Sequence, residues 1–278
     1  MLVKMKFVDY KINYMNNILY GTIFGDIAGS TYERHPVKDY RFDLLPNNSH
    51  FTDDTIMTVA VATWLITERR NSETLIKSLQ LFGSLYPYAG YGRNFFNWLR
   101  DPKPQPYYSW GNGSAMRVSP CAWIAKSLGE AETLAKKSAE VTHNHPEGIK
   151  GAQAVAAAIY MARKGASKKE ISDYITATYG YDLTRTISEI KSTGYKFDVS
   201  CDGSVPEAII AFLESNDFEE AIRLAIYLGG DADTQAAIAG SIAEAYYGIP
   251  QELVDKVKPL LNDTLIQTIE HFNNYCNE

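Results

Sequence analysis

Cysteine is scarce in this chain of 278 residues. Cys121, Cys201 and Cys276 are far apart and odd in number, so neither a disulfide framework nor a zinc site is indicated. A reducing, cytoplasmic compartment is the expectation. Long apolar runs are also lacking: no stretch of ~18 apolar residues occurs, and no membrane-spanning helix is expected. Residues 1–17, MLVKMKFVDYKINYMNN, contain no apolar segment of signal-peptide length. No block of lysines or arginines stands out, and the formal net charge is −6, so a nucleic-acid groove is not indicated. Period-two strand patterns, a dividing linker and a fixed-period repeat are all missing.

What is there reads as helix after helix. Hydrophobic residues at 45% and charged residues at 22% suit a globular chain that buries a sizeable core. The first helix is expected from Ile18 to Glu33, with Gly21, Gly25 and Gly29 on one face. Each such glycine costs up to ~1 kcal/mol, a cost justified by close approach of another backbone. A second helix starts at Asp53 or Asp54 and runs through Thr67, capped by Thr52. A short helix covers Ser72 to Phe82, and a loop-rich stretch with four prolines lies between Tyr86 and Trp110. Further helices are expected over Ala115–Leu128, Glu130–Val141, Glu147–Ala162, Lys168–Tyr179, Leu183–Ser192, Val205–Glu214, Asp217–Leu228, Asp231–Tyr247, Gln251–Val257 and Leu260–Phe272. The runs GAQAVAAAIYMA and AAIAGSIAEAYYG are apolar nearly all round and read as central, buried helices. The chain reads as one all-α domain, residues 1–278.

Five constellations carry chemistry. Thr52-Asp53-Asp54-Thr55 puts two acids at a helix start; taken alone it reads as a cap favoured by the helix dipole. Asp231-Ala232-Asp233-Thr234 repeats the arrangement after Gly229-Gly230. Because both following helices are core helices, their N-termini point at each other or at a shared interior. Four carboxylates meeting there cannot all stay ionised without compensation, which hard divalent cations supply. Asp26 and Glu33, seven apart, share a face of the first helix. Ser109-Trp110-Gly111-Asn112-Gly113-Ser114 is glycine-rich and precedes a helix, so its backbone N–H groups suit a phosphate, although it is not a P-loop. In Thr142-His143-Asn144-His145-Pro146, zinc ligation lacks further ligands; one histidine suits substrate hydrogen bonding and the other suits loop structure.

In order, GTIFGDIAGSTYE, FTDDT, SWGNGSAMR, THNHPEG and GGDADTQAAIAGSIAEAYYG resemble the signatures of the ADP-ribosylglycohydrolase family. That family includes the dinitrogenase reductase-activating glycohydrolase and ADP-ribosyl-acceptor hydrolase types. The resemblance runs from about Ile18 to about Gly248. It implies a compact orthogonal multi-helix bundle of about a dozen helices around two magnesium (or manganese) ions. Thr52, Asp53, Asp54, Asp231, Asp233 and Thr234 fall at the metal-ligand positions. Glu33 falls at the acidic position beside the metals, and Ser109, Gly111, Asn112 and His143 fall where the family contacts ADP-ribose. At the last motif Asp231-Ala232-Asp233-Thr234-Gln235 stands where the family often has Asp-Thr-Asp-Thr-Asn; the ligands are retained and the rim is altered.

The expected activity is removal of ADP-ribose from a modified protein side chain, arginine first and serine second, by cleavage at the distal ribose C1. Glu33 is the candidate acid/base, with Asp53 the runner-up. The pyrophosphate is expected on the N–H groups from Gly111 through Gly113 to Ser114, and Trp110 or Tyr91 is expected to stack on adenine or ribose. The partner is an ADP-ribosylated protein or ADP-ribose, and the chain is expected to be monomeric. Two other readings stand beside this one: a non-catalytic ADP-ribose- or toxin-binding relative of the crystallin or immunity type, and a hydrolase of small compounds such as O-acetyl-ADP-ribose. Retention of all six metal-ligand positions favours the enzyme.

Overall fold

The computed structural model describes residues 17–278. The signal-peptide reading of residues 1–17 lies, Asn17 apart, outside them. Fourteen α-helices form among the described residues, with no strand beyond an isolated antiparallel bridge between Gly111 and Ser200. They are α1 (Tyr20–Gly29), α2 (Asp53–Leu65), α3 (Ser72–Leu85), α4 (Arg93–Leu99), α5 (Ser119–Ile124), α6 (Leu128–Glu140) and α7 (Pro146–Arg163). Next come α8 (Lys168–Tyr179), α9 (Ile187–Ser192), α10 (Cys201–Glu214), α11 (Phe218–Leu228), α12 (Ala232–Tyr247), α13 (Gln251–Val257) and α14 (Asp263–Asn277). None is long and apolar enough to cross a membrane.

Helices α1, α2 and α12 form the centre. Every residue of α1 is buried, as is α12 from Ala232 to Glu244, which explains their apolar all-round composition. The glycine stripe does what its spacing predicts. A Cβ on Gly21, Gly25 or Gly29 would strike the backbone of α12 at Gly240, Ala236 and Ala232–Asp233 respectively. The two helices therefore cross at backbone contact, and Asp26, in the C-terminal half of α1, is carried to the N-terminus of α12. At the other end, Asn273 of α14 accepts from Ile18 N at 2.7 Å and donates to Ile18 O at 3.0 Å, fixing the entry to α1.

Several boundaries differ from the sequence reading, each for a local reason. α1 ends at Gly29, and Ser30 N–H closes the last turn on Asp26 O, so Glu33 is not on that helix and shares no face with Asp26. The proline-rich stretch contains α4, whose Phe95, Trp98 and Leu99 are buried against the core. Of the expected helix Ala115–Leu128 only the short α5 forms before Leu128 opens α6: Pro120 sits in its first turn, it stops at Ile124, and a 3-10 turn at Asn112–Ser114 precedes it. α9 starts only at Ile187, where Thr186 and Glu189 form a capping box. α10 starts earlier than expected, at Cys201, since Ser200 Oγ accepts from Gly203 N–H and the helix tolerates Pro206.

Substitution Gly25→Ala should cost about 3 kcal/mol or more, because the added methyl meets backbone rather than a movable side chain. Gly129→Ala, where a Cβ meets open space, should stay within about 1 kcal/mol of the parent. Urea unfolding of the two variants tests this; equal midpoints would show that α1 and α12 have room to part.

Candidate functional site

The N-terminus of α2 meets the glycine-lined helix at Asp26, which is fully buried. Its carboxylate accepts from Thr52 N at 2.9 Å, Thr55 N at 3.0 Å and Thr52 Oγ1 at 2.6 Å. Asp26 thus caps α2 from another helix, using donors that a helix start leaves unpaired. Asp53 and Asp54 are in consequence the first two helical residues and are not needed as caps. Asp54 Oδ2 accepts from Thr234 Oγ1 of α12 at 3.3 Å, so the two helix starts meet side chain to side chain. The sequence reading placed the two acid pairs together but left Asp26 out of the ligand set. The signal was present, in an aspartate on an apolar helix beside the glycine stripe.

The approach to α12 is set by Gly229 and Gly230, with φ of 85° and 84°. These left-handed conformations favour glycine. They deliver Asp231 to the N-cap position without a side-chain capping bond. Its carboxylate instead accepts from Asn112 Nδ2 at 2.6 Å, tying the glycine-rich turn to the acid pole.

Carboxylate oxygens of Asp26, Asp54 and Asp233 come within 4.8 Å of one another. Burial raises the pKa of all three, and that of Asp231. Asp53 is pushed up to about 8 by burial and then by the charges of Asp26 and Asp231, with Glu33 a smaller contributor. Asp54 Oδ1 is buried with no hydrogen-bond partner. An unpaired buried carboxylate oxygen in an all-oxygen donor set suits a hard divalent cation, and the residues present fit one.

Asp53, Asp54, Asp231 and Asp233 form the floor of a cleft of about 980 Å³, with Asp26 buried outside its lining. Along one wall run Ser109, Trp110, Gly111, Asn112 and Gly113, with His143 behind them. A Cβ on Gly113 would lie 3.2 Å from His143 Nε2. Burial, followed by the charge of Arg117, pushes the His143 pKa well down, so the ring is neutral. Arg117, missed by the sequence reading, donates to Ser138 O at 2.6 Å and Thr142 Oγ1 at 2.9 Å and so anchors this wall to the end of α6. His145 instead caps α7, its Nδ1 accepting from Glu147 N at 3.1 Å. The facing wall includes Glu33, partly exposed, and Gly90, whose φ of 104° and approach to Asp53 exclude a side chain.

Three expected contacts are placed differently. Tyr91 does not line the cleft; its ring packs on Phe95 at 5.7 Å and its hydroxyl is buried. Ser114 is fully buried and does not line the cleft, its hydroxyl donating to Gly148 O at 2.7 Å. The N–H groups of Gly111 and Asn112 are already engaged by Ser109 Oγ and Val199 O, which leaves them unavailable to a phosphate. The segment that carries Val199, residues 195–200, brings Phe197, which the sequence reading did not single out, to the cleft rim; Trp110 and Phe197 are 50% and 54% exposed. Gln235 reaches this segment by donating to Tyr195 Oη at 3.0 Å, so the departure from the family pattern at that position bears on the rim.

An all-helical bundle whose two core helix starts bring acids to the floor of one cleft defines the class. The chain belongs to the ADP-ribosylglycohydrolase family, whose sequence profile it matches over residues 14–277. It is 27% identical to ADP-ribosylhydrolase ARH3 of Mus musculus, over 86% of this chain and 85% of that protein. It is 28% identical to ADP-ribosylarginine hydrolase Tri1 of Pseudomonas putida (strain GB-1), over 86% of this chain and 72% of that one. A solved ADP-ribosylglycohydrolase-related protein complex shares the fold, with a TM-score of 0.71 at 23% identity and coverage of 94% of this chain and 98% of that one.

Acids with raised pKa values stabilise the cation-free fold while protonated and lose that contribution as pH rises through the folded value, about 8 for Asp53. With a chelator present, the melting temperature should therefore fall between about pH 5 and about pH 8. Magnesium or manganese should restore more at the higher pH, where its ligands ionise without competition from protons. Thermal melts with chelator and with each metal test this, and an equal increment at both pH values would count against it.

Proposed function

We propose that this chain is a divalent-metal-dependent hydrolase that releases ADP-ribose from a modified protein side chain by cleaving the glycosidic bond at the distal ribose C1. The observation that carries this reading is the meeting of Asp26, Thr52, Asp54, Asp233 and Thr234 at one buried point beside a cleft lined by Asn112 and His143. Thr52, Asp53, Asp54, Asp231, Asp233 and Thr234 would hold two ions, magnesium or manganese. When bound, such ions act as Lewis acids that fix a sugar diol and acidify water.

The residues of the chain do the rest. Asn112, oriented by its bond to Asp231, stands where the wall meets the acid floor and positions the distal ribose. Neutral His143 offers Nε2 to a ribose or phosphate oxygen at the Gly111–Gly113 turn. Trp110 and Phe197 rise from paired segments on the rim and offer two faces to a purine. Departure of the acceptor builds oxocarbenium character at C1, which a nearby carboxylate stabilises. Glu33, in the facing wall, takes the proton from the attacking water and returns one to the leaving group; Asp53 is the runner-up. Arginine is the first acceptor to test, in line with the name of the Pseudomonas relative, and serine the second.

The direct test is release of ADP-ribose from arginine- and serine-modified substrates with and without magnesium. Glu33→Gln should keep ADP-ribose affinity within a few fold while turnover falls at least roughly a hundredfold, since glutamine keeps the size but transfers no proton. Turnover near the parental rate would remove Glu33 from the chemistry.

A further inference from the structure

The segment from Arg34 to Arg41, Arg-His-Pro-Val-Lys-Asp-Tyr-Arg, carries three cations against one acid in a chain of formal charge −6. Arg34, Lys38 and Arg41 are exposed, and so is Arg93. Arg34 and Arg93 both line the cleft. None of the ion pairs among the described residues includes any of the four. Elsewhere surface cations do find acids, as in Lys77–Glu73 at 2.6 Å, Lys169–Asp173 at 2.6 Å and Arg223–Glu219 at 2.8 Å. The third arginine of the cleft, Arg117, is buried and committed to Ser138 and Thr142. The cleft is thus graded, with acids on its floor and unpaired guanidinium groups at its mouth.

We propose that this mouth is an interaction surface for an acidic peptide, so that the preferred substrate is an ADP-ribosylated residue flanked by aspartate or glutamate, with Arg34 and Arg93 as the specificity-determining residues. The inference rests on the hydrolase reading above and adds the acceptor's surroundings to it. The floor acids lie deep in the cleft, whereas the peptide that carries the modification stays at the mouth and meets the exposed guanidinium groups of Arg34 and Arg93 there. A lysine- or arginine-rich target is repelled, and an acidic one is attracted and steered. At about 0.1 M salt the screening length is about 10 Å, which spans a few flanking residues of an extended peptide. A nucleic acid is the less favoured partner: two exposed arginines at one opening form no groove, and the chain as a whole is acidic.

The test uses two peptides with the same ADP-ribosylated residue, one flanked by Asp and Glu and the other by Lys. At about 50 mM salt the acidic peptide should be turned over with a kcat/KM about tenfold higher, and at about 500 mM most of that ratio should vanish. In the double variant R34Q/R93Q the ratio should approach one. Equal kcat/KM for the two peptides in the parent would overturn the proposal. So would a double variant that loses affinity for free ADP-ribose by the same factor, which assigns the arginines to the pyrophosphate, or displacement of the acidic peptide by a single-stranded oligonucleotide at lower concentration than by an unmodified acidic peptide. If neither peptide is hydrolysed in magnesium, the hydrolase reading falls. Fluorescence anisotropy of the two peptides on the intact protein then still decides this one, with tighter binding of the acidic peptide supporting it and equal binding refuting it.

Discussion

The structure turns on Asp26. It takes two backbone N–H groups and one hydroxyl from the start of α2, while the glycine face of its own helix lies against the backbone of α12. A residue larger than glycine on that face would push α1 away from α12. Asp26 would then lose its place between the two helix starts. Close packing of backbones, rather than any one polar contact, is what sets the separation of the acids.

Bringing this many carboxylates together opposes their ionisation, and the raised pKa values of Asp26 and of the four floor acids record that cost. The fold offsets part of it locally. The N-terminal dipole of α2 points at Asp26 and Asp54, Thr234 donates to Asp54, and Asn112 donates to Asp231. Asp54 Oδ1 receives nothing from the protein. An oxygen-ligating divalent cation would complete the arrangement, and the same incompleteness that opposes ionisation of these acids is what suits the site to one.

The two walls of the cleft are stabilised differently. The wall from Ser109 to Gly113 is pinned by Arg117, by the Gly111–Ser200 bridge and by Ser114 on Gly148, so its donors are rigid and mostly spent within the protein. The side chains of His143, Trp110 and Phe197, and that of Asn112 with its bond to Asp231, line the cleft there. The opposite wall is loop: Glu33 follows the end of α1, and Gly90 precedes α4. Loops can change their side chains without disturbing α1, α2 or α12, so this part of the lining is free to vary over a constant floor.

The sequence by itself determined the helical class, the glycine-lined face of α1, the apolar all-round character of α7 and α12, and the pairing of two acid motifs at helix starts. These are legible because helical period and cap chemistry are local properties of neighbouring residues. It did not determine that Asp26 would cap α2, that Glu33 would leave its helix at Gly29, or that Tyr91 would turn onto Phe95. Nor did it reveal that Val199 would consume the N–H of Asn112 and bring Phe197 to the rim. Those outcomes depend on which segments distant in the chain compete for the same donors and the same space. Only the tertiary structure decides that, because a hydrogen bond or a packed ring is assigned to whichever partner the assembled helices bring within reach.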